Sequence, residues 1–234
     1  MKNKKKILTI IPARKNSKRL KDKNIKLWNG KPLIHWTIKS AIKSKYLQEI
    51  IFSSDSIKYN KIAQKSGAYV PFIRPKNLAK DKVQTKDVVI DIINFFKKKK
   101  IFFDFVMLLQ PTSPSRSYQD IDKALDIFFK KNLKSLVSAS KTSNILRNYI
   151  SYNNQNIFKK YLSNRNIKIE NEAILNGSIY ICDIKKFMRY RNFILPNTYV
   201  FLMEKHKSID IDNSFDFYLS ELIEKHVKKF NKKT

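Results

Sequence analysis

Glycine is scarce in this sequence, with three residues among 234, at Gly30, Gly67 and Gly177. A Walker A phosphate loop and a GxGxxG dinucleotide turn each need glycines close together, and these three are too far apart for either motif. The GxSxG turn of α/β-hydrolases is excluded for the same reason. The sequence therefore lacks the usual signatures of P-loop NTPases, dinucleotide-dependent dehydrogenases and α/β-hydrolases.

Cysteine is scarcer still, because Cys182 is the only one. No disulfide can form within the chain, and no zinc site can be built from several cysteines. The three histidines, at positions 35, 206 and 226, show no metal-ligand spacing. The sequence thus excludes a disulfide framework and gives the histidines no catalytic or metal-binding role.

Long hydrophobic runs are also missing. The first apolar run, Ile7 to Ile11, has five residues before Pro12 and is too short for the core of a signal peptide. No run approaches the roughly 20 apolar residues of a membrane span. At 234 residues and 42% apolar composition, the chain can build a sizeable core. We expect one domain over residues 1–234, a cytoplasmic location and no membrane partner.

Acidic residues are few, with 19 against 49 basic ones and a net charge of +30. Such a charge suits anionic partners, including nucleic acid and anionic substrates. Only eight of the basic residues are arginine, and the lysines are scattered along the chain. No nucleic-acid motif is present, so we expect mostly solvated surface charge and no specific nucleic-acid partner. A nucleic-acid-binding protein, with steeply salt-dependent binding, remains the alternative from another functional class.

The residues that are present alternate between short apolar segments and amphipathic ones. Strand-like runs near residues 7–11, 49–53 and 103–109 each end in a polar loop followed by a helical pattern. This order predicts an α/β fold with a mostly parallel sheet and helices on both faces. The pattern weakens over residues 141–174, which are rich in asparagine and lysine. We interpret that segment as a small β-rich insertion.

A strongly basic loop follows the first strand, and its cations include Arg14, Lys18, Arg19, Lys21 and Lys23. Open α/β sheets bind ligands beyond the carboxyl ends of their strands, where this loop should lie. Five cations within ten residues suit a polyphosphate better than a single carboxylate. On charge alone, a solvated basic loop is an equal alternative.

One aspartate follows a predicted strand, and two others lie within a strand-like segment near the end of the chain. Asp55 comes directly before a helical pattern, and we predict that it caps that helix rather than binding a metal. Asp210 and Asp212 lie in the segment Ser208-Ile-Asp-Ile-Asp212, and in a strand they would project from the same face. Neighbouring carboxylates repel one another unless a cation lies between them, and Mg²⁺ favours such oxygen ligands. The alternative is that Asp212 caps the final helix, predicted over Phe215 to Phe230.

Four segments together resemble the cytidylyltransferases that activate sialic acids and related nonulosonic acids. They are Ile11-Pro-Ala-Arg14-x-x-Ser17-Lys18-x-x-x-x-Lys23-Asn24, Leu109-Gln-Pro-Thr-Ser-Pro-x-Arg116, Leu175-Asn-Gly-Ser-Ile-Tyr-Ile181 and Ser208 to Asp212. Many family members have two glycines where this chain has Lys15 and Asn16. The resemblance implies a Rossmann-like nucleotide-diphospho-sugar transferase fold.

The resemblance also implies a reaction, in which the anomeric hydroxyl of a 3-deoxy-2-keto sugar acid attacks the α-phosphate of CTP and pyrophosphate leaves. The roles that it implies cover eleven residues. Arg14, Lys18 and Lys23 would hold the triphosphate, Asn24 and Arg74 the nucleoside, Gln110, Asn176 and Arg165 the sugar, and Asp210 and Asp212 a Mg²⁺ ion. Thr85 would be a further substrate-binding residue. Arg14, Lys18 and Asp212 would be the catalytic members. Thr85 has an alternative as the N-cap of the helix that follows it.

The resemblance is weakest over residues 141–174. In the family this part forms a small dimerisation subdomain, which implies a homodimer. Arg165 matches the family pattern only through Asn164-Arg165-Asn166. Kdo or another sugar could replace the nonulosonic acid in a nucleotidyltransferase of the same fold. Which nonulosonic acid would be the substrate stays open.

Overall fold

The computed structural model describes residues 5–141, 149–162 and 172–230. Its main sheet has the strand order β10-β6-β9-β5-β1-β4, and a β7–β8 hairpin is attached to β9. The strands are β1 (Ile7–Pro12), β2 (Leu27–Trp28), β3 (Lys31–Pro32), β4 (Glu49–Ser53), β5 (Phe105–Leu108), β6 (Ser135–Lys141), β7 (Tyr149–Tyr152), β8 (Phe158–Leu162), β9 (Glu172–Asp183) and β10 (Tyr199–Leu202). Strands β2 and β3 pair only with each other.

The main sheet is mostly parallel, as the sequence predicted. Strand β1 pairs in parallel with β4 and β5, and β10 pairs in parallel with β6. Strand β9 runs antiparallel between β5 and β6. It pairs in the same antiparallel sense with β7, so the chain enters β9 from the hairpin end of the sheet. The carboxyl ends of β1, β4 and β5 therefore lie together at one edge.

Helices cover both faces of the sheet, which confirms the second part of the prediction. Side chains of β1 alternate between two cores: Ile7 and Ile11 pack on one face and Leu8 and Ile10 on the other. The helices are α1 (Leu33–Lys43), α2 (Ile57–Lys65), α3 (Thr85–Lys98), α4 (Tyr118–Lys130), α5 (Ile184–Tyr190) and α6 (Ser214–Phe230). Apolar residues of α1, α2 and α4 fill the first core, and those of α3 and α5 fill the second.

The predicted cap of α2 is wrong, and the alternative role of Thr85 as the cap of α3 is ruled out, because a neighbouring residue caps each helix. The Ser56 hydroxyl, not Asp55, accepts a hydrogen bond from the Tyr59 amide at the start of α2. The Asp55 carboxylate instead accepts one from the Lys15 amide at 2.9 Å, and so fixes the basic loop. At the start of α3 the N-cap position belongs to Gln84, so Thr85 is the first helical residue. Asp55 and Thr85 are therefore not occupied as helix caps.

The described part of residues 141–174 is β-structured. Strands β7 and β8 pair antiparallel, and β7 also pairs with β9. Arg165 lies outside the described residues. The hairpin therefore extends the main sheet at the N-terminal end of β9, where residues 172–174 pair with β7.

The segment Ser208 to Asp212 is not a strand, contrary to our expectation. It is an irregular stretch between a 3-10 turn, Lys205–Lys207, and the helix α6. The Ile211 amide donates to the Thr112 carbonyl at 2.8 Å, which docks this stretch onto the loop that follows β5. No helix within the described ranges is both long and apolar enough to cross a lipid bilayer.

Candidate active site

The described residues form a cleft of about 430 Å³ at the carboxyl edge of the parallel strands. The chain passes from β1 to β4 on one side and returns to β5 on the other, so the loops after β1 and β5 separate there. Eight of the eleven residues that the sequence analysis singled out line this cleft. They are Arg14, Lys18, Lys23, Asn24, Arg74, Thr85, Gln110 and Asp212.

Arg14 and Lys18 meet at one carboxylate of the cleft lining, that of Asp81. The Arg14 guanidinium lies 2.9 Å from Asp81 Oδ1, and the Lys18 ammonium lies 2.6 Å from Asp81 Oδ2. All three side chains remain partly open to solvent. The hydrogen bond from Lys18 holds the pKa of Asp81 below its ordinary value, so the carboxylate is charged at neutral pH. The two cations are thus held side by side at the mouth of the cleft.

Lys23 and Arg19 meet at a second carboxylate, that of Asp212. Lys23 is buried, and its ammonium donates to the Ile211 carbonyl at 2.6 Å and lies 3.2 Å from Asp212 Oδ1. The guanidinium of Arg19 binds the other oxygen of Asp212. Lys23 therefore ties the irregular segment 211–212 to the basic loop, across nearly the whole length of the chain.

Asp212 is not the cap of the final helix. At the start of α6 the Asn213 side chain accepts from the Asp216 amide at 3.0 Å, and the Asp216 carboxylate accepts from the Asn213 amide at 3.1 Å. This reciprocal pair is a capping box and satisfies the helix terminus without Asp212. The Asp212 carboxylate is therefore directed to the cations of the cleft, and the alternative role for it is ruled out.

Asp210 does not line the cleft but lies near Gly177 of β9 and Gln110, and of these three only Gln110 is a lining residue. A Cβ atom placed on Gly177 would lie 3.2 Å from Gln110 Oε1 and 3.6 Å from Asp210 Oδ2. Asp210 keeps much of its surface exposed to solvent, but partial desolvation by the protein around its carboxyl group raises its pKa, and the charges of Asp212 and Asp216 act in the same direction. The backbone of Gly177 thus brings an amide and a carboxylate close together.

The cleft lining also includes Arg74 and Asn24, both of which are buried. The Arg74 guanidinium donates to the Ser53 hydroxyl at 3.1 Å and also to the Ser53 carbonyl. Burial lowers the pKa of Arg74 to about 10, which still leaves it charged at neutral pH. The Asn24 amide donates to the Arg14 carbonyl at 3.2 Å. The two bonds from Arg74 fix it against the end of β4, and the bond from Asn24 fixes the conformation of the basic loop.

Asn176 lies behind the cleft wall instead of lining it. Its side chain is buried, accepts from the Ser138 hydroxyl at 2.6 Å and donates to Ser208 Oγ at 2.9 Å. These contacts join β9 to β6 and to the segment that leads to Asp210. The role of Asn176 toward a sugar stays a prediction.

Sequence reasoning missed the carboxylate partner of the basic loop. Asp81 follows Arg74 in the sequence, but no pairing signal connects it to Arg14 across 67 positions of the chain. Sequence reasoning also missed Arg116, whose fully buried guanidinium donates to the Ser178 carbonyl at 2.8 Å and the Gln110 carbonyl at 3.3 Å. Arg116 thereby fixes the backbone beneath Gln110.

The donor set suits Mg²⁺. Asp210 and Asp212 supply hard carboxylate oxygens, and their mutual repulsion contributes to the raised pKa of Asp210. Mg²⁺ takes one or two protein carboxylates together with substrate phosphates, so a protein site with few ligands is expected. Consistently, the described residues contain no cluster of three or more potential metal ligands. A metal here would depend on the substrate for its remaining ligands.

The chain matches the family model described as cytidylyltransferase over residues 8–229. It is 39% identical over 220 residues to a CMP-N,N'-diacetyllegionaminic acid synthase from Legionella pneumophila, covering 92% of this chain and 94% of that protein. It is 30% identical to a pseudaminic acid cytidylyltransferase from Campylobacter jejuni, covering 93% and 96% of the two chains. An N-acylneuraminate cytidylyltransferase from Escherichia coli is 31% identical over 94% of this chain and 52% of its own length.

Solved structures show the same fold. The CTP complex of CMP:2-keto-3-deoxy-manno-octonic acid synthetase superposes with a TM-score of 0.72 at 15% identity, covering 96% of this chain and 99% of that one. The family match favours an enzyme over the nucleic-acid-binding alternative. With a family model that spans almost the whole sequence, and a nucleotide-sized cationic cleft at the expected sheet edge, the chain belongs to the cytidylyltransferase family of nucleotidyltransferases.

Proposed function

We propose that this protein transfers the cytidylyl group of CTP to the anomeric hydroxyl of a nonulosonic acid, with N,N'-diacetyllegionaminic acid as the first candidate. The sugar oxygen forms a bond to the α-phosphorus, the bond from that phosphorus to the bridging oxygen breaks, and pyrophosphate leaves. The observation that carries the proposal is the cleft in which clustered cations surround the Asp212 carboxylate, with Asp210 two residues away along the chain. The choice of sugar is supported by the 39% identity to the legionaminic acid synthase, against 30–31% for the pseudaminic and neuraminic relatives.

The triphosphate binds along the basic loop in this proposal. Arg14 and Lys18 lie together and are partly exposed, so phosphate oxygens can reach both. Lys23 is buried and already bound to Asp212, so its role is to hold that carboxylate in place. Phosphoryl-type transfers depend mostly on positioning and charge neutralisation, which is what these three cations supply.

The nucleoside occupies the end of the cleft that contains Arg74, Asn24 and Thr85. The Arg74 guanidinium is planar, charged and held by two hydrogen bonds to Ser53, so it offers a fixed surface against a base. Thr85, freed from the capping role, presents a hydroxyl at the start of α3. The geometry supports a rigid base and ribose site.

Asp210 and Asp212 would hold Mg²⁺ together with phosphate oxygens. When bound, the ion neutralises charge that develops on the phosphates. Arg19 and Lys23 keep Asp212 charge-balanced and oriented before substrate arrives. Gln110, Asn176 and Arg165 would bind the sugar acid. Gln110 lines the cleft, and Asn176 orders the wall behind it.

We also propose that the protein is a homodimer formed through the β7–β8 hairpin. Within the described residues the only strand that pairs with β8 is β7. The first residue of β8, Phe158, also donates to the Thr198 carbonyl, and the rest of its second edge has no strand partner among those residues. Exposed strand edges favour pairing with another chain. Sedimentation velocity at several protein concentrations tests this, and a monomer at all of them contradicts it.

The experiment for the reaction is pyrophosphate release from CTP and Mg²⁺, with separate sugars: N,N'-diacetyllegionaminic acid, N-acetylneuraminic acid, pseudaminic acid and Kdo. We expect turnover with a nonulosonic acid, fastest with the legionaminic one, and loss of turnover when EDTA is added. Turnover with Kdo alone would overturn the sugar assignment. Activity that survives EDTA would overturn the Mg²⁺ assignment, and a lack of CTP binding would overturn the proposed function itself.

A further inference from the structure

Asp81 occupies the position of an anion in the predicted triphosphate site. Each of its carboxylate oxygens takes one cation, Oδ1 from Arg14 at 2.9 Å and Oδ2 from Lys18 at 2.6 Å. Two oxygens shared between two cations is also how a phosphate group is held by such side chains. The Asp81 carboxylate, a group of the protein itself, therefore makes the contacts that a phosphate group of the substrate would make.

The position of Asp81 allows exchange with a ligand. About 43% of its side chain is exposed, and 75% of the Lys18 side chain is, so water and dissolved anions reach the contact. Asp81 lies after the 3-10 turn Lys76–Ala79, in the same connection that begins at Arg74. This connection links the proposed base site to the proposed phosphate site, and Asp81 is the contact that fastens it to the basic loop.

We propose that Asp81 is an intramolecular competitor for the phosphates of the substrate and of the pyrophosphate product. This inference rests on the proposed function and concerns the control of affinity at the same site. A polyphosphate must take Arg14 and Lys18 away from Asp81, so its binding is weakened by the two ion pairs that it breaks. The pyrophosphate that remains after transfer meets the same competition, which favours its release.

A structural role for Asp81 makes the opposite prediction. If Asp81 only braces Arg14 and Lys18, its removal loosens the two cations and weakens every phosphate ligand. If Asp81 competes, its removal frees the cations and strengthens binding. The sign of the change in affinity therefore separates the two roles, whereas its size does not.

The test compares the wild type with Asp81→Asn, which keeps the shape of the side chain and removes its charge. Isothermal titration calorimetry measures the Kd of inorganic tripolyphosphate and of pyrophosphate, without any sugar. We expect both anions to bind about threefold to tenfold more tightly, because two exposed ion pairs, each typically worth about 1.4-fold to fivefold in affinity, no longer compete. Pyrophosphate should also become a stronger inhibitor of turnover by a similar factor.

Glu49→Gln is the matched control. It changes the net charge by the same single unit, and Glu49 is exposed at the start of β4, at the opposite end of the strand from the cleft. We expect less than a twofold change in either Kd for this variant, because distant exposed charges are largely screened by salt. Equal tightening in both variants would show a nonspecific charge effect and would overturn the proposal.

The remaining outcomes are also decisive. Weaker or unchanged anion binding in Asp81→Asn, with an unchanged unfolding temperature, overturns the competitor role. The variant Asp81→Ala repeats the measurement without a side-chain amide that could hydrogen-bond to Arg14 and Lys18 in place of the ion pairs. If the wild type binds CTP but Asp81→Asn does not bind the anions more tightly, this inference alone is refuted. A wild type that binds neither CTP nor tripolyphosphate refutes both this inference and the proposed function.

Discussion

Replacing Gly177 with alanine should damage the sugar side of the site more than it damages the fold. Gly177 lies within β9 at φ +68°, a left-handed conformation that costs other residues roughly 1–2 kcal/mol. Alanine also lowers the conformational entropy of the unfolded chain, which raises the free energy of unfolding by about 0.4–1 kcal/mol. The net loss of unfolding free energy is therefore about 1 kcal/mol, or roughly 2–4 °C in Tm for a chain of this size.

The effect on activity has a separate origin. The new Cβ would lie 3.2 Å from Gln110 Oε1, so the Gln110 amide must shift by a few tenths of an ångström. Because a displacement of 1 Å can cost about 10²-fold in rate, we expect about a tenfold fall in kcat/KM for the sugar. The KM for CTP should change little, since the nucleoside end of the cleft is formed by other residues.

Gly30→Ala is the matched control for this experiment. Gly30 has a similar φ of +77° in the turn between β2 and β3, but a Cβ atom added to it would have no neighbouring atom within 4 Å. Both variants should lose similar stability in thermal unfolding, and only Gly177→Ala should lose activity toward the sugar. Full activity of Gly177→Ala, with the expected loss of Tm, would refute the placement of Gln110 at the sugar.

The site and the core support three further predictions. Asp212→Asn should lower kcat by at least about 100-fold in the pyrophosphate assay, and it should lower stability by about 1–3 kcal/mol, because the buried Lys23 ammonium loses its charged partner; retained turnover would rule out the metal role. Arg74→Lys should raise the KM for CTP about tenfold, because lysine cannot make both guanidinium bonds to Ser53 while presenting a planar face to a base; an unchanged KM would place the base elsewhere. Burial raises the pKa of the Cys182 thiol to about 12, so at pH 8 only about one thiol in 10⁴ is ionised. Thiol reagents should therefore label Cys182 only on unfolding, and rapid labelling of the native protein would contradict its burial.

The alternation of apolar and polar segments predicted most of the fold. Runs such as Ile7–Ile11 are too short for helices and are rich in branched residues, and their side chains fill both cores as a central strand requires. The direction of β9 was not predictable from its composition. An apolar strand has the same pattern in either direction, and the antiparallel placement depends on its pairing with β7 and β5.

The segment around Asp210 and Asp212 shows where local patterns mislead. Alternating isoleucine and aspartate is the pattern of a strand, yet this stretch is irregular. Its conformation is fixed by distant partners: the Thr112 carbonyl binds the Ile211 amide, and Lys23 binds the Ile211 carbonyl. The charge of Asp212 does raise the pKa of Asp210, but this interaction does not come from alternation along a strand, and the joint metal role of the two carboxylates stays a prediction.

The chemistry available to the protein can be recognised from local sequence, because the cations, the carboxylates and the amide side chains belong to four short segments. The pairing of those groups, in contrast, depends on the three-dimensional fold. The contact of Arg14 and Lys18 with Asp81, and that of Lys23 with Asp212, join residues that are far apart in the chain. Such ion pairs depend on where the strands of the sheet end relative to one another, and no local pattern encodes that arrangement.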